Sequence, residues 1–229
     1  MKNSLGDLIS TRVGPIQTYR LVASAHPAIS LFGDLEDLSP EDWDLAYALE
    51  AMTNSRLRDE RGEMVLIPQE ERVYGPGSSL IMAAFAYRNP RGSRFSDGSF
   101  GVYYCAELEE TAIREVAYHM GKFFGATQEA PQTFVARNIG AELEGSAYNV
   151  FALNDPWLRD DDYSACQAFA RQARVQVDCL RYQSVRHPGQ VAYAVFRPKA
   201  LRNARHIRYV ELYWDGNRFT HAANISLEL

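Results

Sequence analysis

The sequence predicts an α+β fold, and three observations carry that expectation. Short apolar runs bounded by Gly and Pro recur along the 229 residues, three segments place apolar residues at helical spacing, and strands outnumber helices in the second half. The length suits one sizeable core, so a single domain over residues 1–229 is expected.

Residues 1–15 are polar and end in Gly14-Pro15, which reads as an arm before a first strand at Thr18–Ala23 carrying Tyr19 and Arg20. Ser39 followed by Pro40, Glu41 and Asp42 has the form of a helix start: a capping hydroxyl, a proline at the first helical position and acids against the positive end of the dipole. Trp43, Ala46 and Tyr47 give that helix its apolar face. The charged stretch 54–63 and the Pro- and Gly-rich stretch 64–78 make a long surface connection.

Leu80–Ala86 is an uninterrupted apolar run and is expected as a buried strand, closed by Asn89-Pro90-Arg91-Gly92-Ser93. Val102–Ala106 is the next strand, and a helix follows from Glu109 to Phe124 with Ala112, Val116, Met120 and Phe123 on one face. Thr133–Ala136 is a weak strand and Tyr148–Leu153 a stronger one, ended by Asn154-Asp155-Pro156. The acids 160–162 precede a helix whose stripe is Cys166, Phe169, Ala170 and Ala173, which puts Ser164 in its first turn, where unpaired N–H groups favour an anion. Val177–Tyr182 and Val191–Phe196 are strands about His187-Pro188-Gly189. Beyond the core of residues 18–201, the extension 202–229 supplies a hairpin, Tyr209–Trp214 and Arg218–His221, about Asp215-Gly216-Asn217.

A formal charge of −5 argues against a protein whose main task is to neutralise phosphate backbones, so no direct nucleic-acid binding is expected. Cys105, Cys166 and Cys179 are odd in number and widely spaced in apolar surroundings, which implies buried free thiols in a reducing compartment, the cytoplasm. Without an apolar leader or a run of roughly 18 apolar residues, neither export nor a membrane span is expected. The glycine signatures of dinucleotide and P-loop folds are missing, as are His-Glu-x-x-His and paired Cys-x-x-Cys. Glu115 and His119 share a helix face, but one such pair makes no metal site, and no metal is expected.

The most informative stretch runs from Arg94 to Glu115. It sets an arginine before a Gly-rich turn, Tyr104 near the end of a strand and a glutamate in the first turns of a helix. A guanidinium, an aromatic face and a carboxylate brought into one cleft suit an anionic substrate. Arg20, between Tyr19 and Leu21 on a strand, faces solvent or a polar cleft. Ser184 and Arg186 are turn residues that a strand end presents.

Tyr19-Arg20, Arg94-Phe95, Tyr104, the run Glu110-Thr111-Ala112-Ile113-Arg114-Glu115, Asp162-Tyr163-Ser164-Ala165-Cys166-Gln167, Tyr182-Gln183-Ser184-Val185-Arg186-His187-Pro188-Gly189 and Ala194-Val195-Phe196-Arg197-Pro198 follow one another in an order that resembles the RES-domain family, toxins of bacterial toxin–antitoxin pairs. The resemblance spans about Thr18 to Leu201. It implies a mixed or antiparallel β core flanked by helices, similar to the ADP-ribosyltransferase toxins, an activity that consumes NAD as substrate, and an Xre-type antitoxin partner. Arg94, Glu115 and Ser164 match the three residues that name the family, and Arg20 and Tyr104 match further positions near the NAD.

The family's Arg-Trp-Asn-Pro-Pro-Gly turn is Arg-Phe-Ser-Asp-Gly-Ser here, and its Gly-x-Asp-Gly before a later strand is replaced by Val175-Gln176-Val177-Asp178-Cys179. In the roles implied, Arg94 and Arg20 hold phosphates, Tyr104 stacks on a ring, Glu115 stabilises a ribosyl cation and Ser164 hydrogen-bonds the substrate. Phosphate or water is the expected acceptor. Transfer of ADP-ribose to a protein and an inactive interaction module are the alternatives, and a homodimer stays open.

Overall fold

The first strand is longer than its apolar pattern suggests. In the computed structural model, which describes residues 8–23, 67–86, 89–153, 155–159 and 161–225, β1 runs Ser10–Ala23 and takes in the Gly14-Pro15 step expected in an arm. Pairing with the long strand β3 (Gln132–Asn149) supplies the ladder that composition did not advertise, with a register shift between Val13 and Ile16. Gly14, at φ +85°, passes so near that strand that a Cβ would lie 2.0 Å from the Leu143 carbonyl oxygen.

The remaining strands are β2 (Tyr103–Ala106), β4 (Cys179–Gln183), β5 (Val191–Val195), β6 (Leu201–Trp214) and β7 (Phe219–Ile225). The sheet order is β1-β2-β5-β4-β3-β6-β7, and the further β1–β3 pairing closes a circuit through β1, β2, β5, β4 and β3. Only β3 and β4 are parallel among these pairings, so the sheet is mixed and predominantly antiparallel, and the fold is α+β as expected. The weak strand at Thr133 and the start of the one at Tyr148 are two ends of β3; Phe151–Leu153 is instead a 3-10 turn. Gly140, Glu142, Glu144 and Gly145 interrupt the apolar pattern of β3, while β1 on one edge and β6 on the other satisfy its backbone.

Leu80–Ala86 is not a strand. It lies in helix α1 (Ser78–Ala86), buried at Ile81, Met82, Ala84, Phe85 and Ala86. Of its residues only Ile81 is β-branched, and Ala, Leu and Met favour helix, so propensity decides where burial on most sides erases the period. Helix α2 (Glu109–Thr127) turns Phe124 into the core and leaves Phe123 51% exposed, shifting the expected face by one residue. Helix α3 (Ser164–Ala173) buries Cys166, Phe169, Ala170 and Ala173, the full expected stripe. All three cysteines are free and buried. No helix among the described residues is long and apolar enough to cross a membrane. The helix start at Ser39 and the stretch 54–63 lie outside the described residues.

Strand alternation divides the core in two. Ala106, Leu180, Tyr182, Ala192 and Ala194 pack with residues of α2 and α3, and Tyr104 lies against them. Tyr103, Cys105, Cys179, Tyr193 and Val195 pack on the other face with α1. The site lies on the α2–α3 face.

Candidate functional site

The turn that carries Arg94 is closed by its own short polar side chains. Asn89 accepts the Arg91 N–H at 3.0 Å and donates to the Gly92 carbonyl at 2.8 Å. The Ser96 hydroxyl donates to the Phe100 carbonyl at 2.5 Å and accepts the Gly98 N–H at 3.1 Å. Gly98 takes φ +89°, a conformation that favours glycine. Asp97 accepts both the hydroxyl and the N–H of Ser99, which hold its carboxyl down at about 2, and it pairs with Arg171 of α3. The Ser-Asp-Gly-Ser sequence thus has its own means of fixing the loop. Phe95 is wholly buried, edge-on to Tyr182 with ring centroids 4.9 Å apart.

Arg94 itself donates to the Leu158 carbonyl at 2.7 Å and lies 4.6 Å from the Tyr163 ring centroid. Tyr104 braces the same turn from below: its hydroxyl accepts the Phe95 N–H at 2.9 Å and shares a 2.7 Å hydrogen bond with Ser93. Burial, the largest cause, pushes the Tyr104 phenol up to about 12, so it is neutral at physiological pH. Gln167 of α3 donates to the Ser93 carbonyl at 3.0 Å.

Glu115 projects from the second turn of α2 toward the turn after β4. The Ser184 hydroxyl, 1% exposed as a residue, donates to Glu115 Oε1 at 2.5 Å, while its oxygen accepts the N–H groups of Arg186 at 3.2 Å and His187 at 3.0 Å. His119 Nε2 lies 3.8 Å from Glu115 Oε2. Burial, chiefly, lowers the His119 pKa; Glu115 opposes this, and Arg186, Arg94 and Lys122 reinforce it. The imidazole is therefore neutral at pH 7, in a field to which those three cations contribute.

Glu115, Tyr118, His119 and Lys122 follow one helix face at i, i+3, i+4 and i+7. The Arg186 guanidinium lies 3.3 Å from the centroid of Tyr118, and Lys122 Nζ lies 4.8 Å from the same ring. Both cations reach Asp161, each at 3.1 Å.

Arg94, Tyr104 and Glu115 come together around Tyr182, a buried phenol on which all three act electrostatically and which burial, above all, keeps protonated. A small hollow open to solvent has Leu158, Arg159, Tyr182 and Gln183 in its walls. Ser164 opens α3 beside Tyr163 and is exposed; Asp162 accepts its N–H at 2.9 Å and its hydroxyl as well. Arg20 is placed apart. Its neighbour Tyr19 pairs with Ala106 on the α2–α3 face, so Arg20 projects to the other face, donating to the Tyr104 carbonyl at 3.2 Å and lying 4.7 Å from the Tyr103 ring centroid.

The sequence reading gave Ser184 and Arg186 as turn residues without linking them to Glu115, and assigned no role to Tyr182, Tyr163, Tyr118 or Asp161. The spacing of Tyr118 and Lys122 from Glu115 is a signal that could have found those two. Among the described residues no group of three or more His, Cys, Asp or Glu is placed to hold a metal ion.

Comparison with known proteins places this geometry in context. A family model described as the RES domain matches residues 69–215. A protein described as uncharacterized protein y4oC, from Sinorhizobium fredii (strain NBRC 101917 / NGR234), is 25% identical over 205 residues, covering 88% of this chain and 84% of that protein.

Proposed function

The chain belongs to the RES-domain family, and from that premise we propose that it is an NAD-consuming toxin that cleaves the nicotinamide–ribose bond with phosphate, or water, as acceptor. Membership supports an NAD-related, toxin-type function in general; the bond cleaved and the roles of the residues are our reading. The observation that carries it is the Glu115 carboxylate, 25% exposed, oriented by the Ser184 hydroxyl and acting with Arg94 on the same buried Tyr182.

As the bond between ribose C1 and the pyridinium nitrogen breaks, its electron pair passes to the ring and nicotinamide leaves neutral, without needing a proton. Positive charge then builds on the ribose, where a fixed carboxylate stabilises it, as in glycoside cleavage. Arg94 holds a phosphate oxygen of the dinucleotide, and Tyr104 acts through the turn, fixing where Arg94 stands. Ser164 contributes from the start of α3 once Asp162 gives up its hydroxyl. Arg20, which projects to the opposite face of the sheet, is given no part in this reading. The partner that restrains the activity is an Xre-type antitoxin.

Purified protein incubated with NAD and phosphate is expected to release nicotinamide, and Glu115→Ala is expected to release at least about a hundredfold less, the scale of a lost transition-state charge contact. Equal release by the two proteins would overturn the reading. Label from NAD retained on a discrete protein band in lysate would instead favour transfer of ADP-ribose to a protein.

A further inference from the structure

Arg186 is not used by the cleavage step itself, yet it is the guanidinium nearest in sequence to the hydroxyl that orients Glu115. Its Nε is buried and has no hydrogen-bond partner. Its Nη2 reaches one carboxylate, Asp161, whose side chain is 59% exposed and which it shares with Lys122. Two cations therefore face one carboxylate and keep a net positive charge beside the Tyr118 ring, one helical turn from Glu115. An exposed ion pair of this kind is held weakly, so a doubly charged anion can displace Asp161 and bind both cations at once.

We propose that Arg186, with Lys122, is the acceptor subsite: it takes inorganic phosphate, and it selects phosphate over water in the reaction proposed above, on which this inference rests. One phosphate oxygen forms the bond to ribose C1 as the bond to nicotinamide breaks, and the products are nicotinamide and ADP-ribose carrying a phosphate at that carbon. Water, in the same place, yields ADP-ribose and a proton, and gains nothing from two cations. Asp161 is a competitor for the subsite rather than a ligand of the substrate. Removing it and removing Arg186 must therefore act in opposite directions.

The test uses the full chain with NAD and inorganic phosphate as separate variables, following nicotinamide release and resolving ADP-ribose from its phosphorylated form by chromatography. Arg186→Gln is expected to raise the KM for phosphate about tenfold while the KM for NAD moves less than about twofold, the scale of one charge-assisted contact. Lys122→Gln, on an exposed helix position that leaves the fold undisturbed, is expected to raise the phosphate KM about threefold, and Asp161→Asn to lower it. Release independent of phosphate in the wild type, or Asp161→Asn and Arg186→Gln shifting the phosphate KM in the same direction, overturns the acceptor subsite while leaving NAD cleavage standing. Absence of any nicotinamide release by the wild type is a different failure, that of the cleavage reading, and takes this inference down with it.

Discussion

Ser184 and Glu115 lie 69 residues apart in the chain and are joined by a 2.5 Å hydrogen bond in which the hydroxyl donates to the carboxylate. The same oxygen accepts two backbone N–H groups, so one side chain both folds the turn after β4 and aims the acid of α2. Ser184→Ala leaves those groups without their acceptor in a buried place. A loss of about 1–3 kcal/mol in urea unfolding is expected, together with a fall in nicotinamide release that persists at temperatures where the variant is fully folded. A variant that loses stability but keeps wild-type kcat would show that the hydroxyl serves the turn alone.

Tyr104 offers a second separation of architecture from chemistry. Its hydroxyl holds the Phe95 N–H and Ser93 of the Arg94 turn, and Tyr104→Phe keeps the ring while removing that brace. The expected result is a destabilisation of about 1–3 kcal/mol and a rise in the KM for NAD, because Arg94 stands on a looser loop. Unchanged NAD kinetics in the folded variant would remove Tyr104 from the path to Arg94.

Legibility in the sequence followed the physics of each element. Helix α3 has one apolar face against the sheet and an exposed opposite face, so its stripe at Cys166, Phe169, Ala170 and Ala173 was readable. Helix α1 is buried on most sides and reads like a strand, and β3 hides its continuity because two neighbouring strands satisfy its backbone whatever its side chains. Within the site, Arg94, Tyr104 and Glu115 fall within 22 residues and could be seen as a group. The Ser184–Glu115 bond could not, since it depends on how β4 and α2 pack. The opposite facing of Arg20 depended on strand register, which Tyr19–Ala106 pairing fixes and composition does not.

The altered turn makes a prediction about acid. Asp97, held at about 2 by Ser99 and then by Arg171, titrates near about 3.9 when unfolded. A carboxyl whose folded pKa is depressed contributes stability that is complete above the unfolded value and is lost as pH falls through the folded one. Wild type should therefore lose urea stability between about pH 4 and pH 2 more steeply than Asp97→Asn does. Parallel profiles for the two proteins across that window would show that the Asp97 contacts do not hold the turn.

Arg94 separates positioning from folding most directly. Its guanidinium caps the Leu158 carbonyl and stacks on Tyr163, both on the segment that leads into α3, while the core beneath is built by Phe95. Arg94→Ala should thus leave the fold intact by circular dichroism but remove a charge-assisted contact worth on the order of 2 kcal/mol, lowering kcat/KM for NAD by at least about tenfold. Arg94→Lys should recover only part of this, since an ammonium can reach a carbonyl or a phosphate oxygen yet supplies neither the planar fork nor the stack on Tyr163. If Arg94→Ala, folded, consumed NAD as fast as the wild type, the guanidinium would be a clasp for the loop before α3, and the substrate phosphates would have to be held elsewhere.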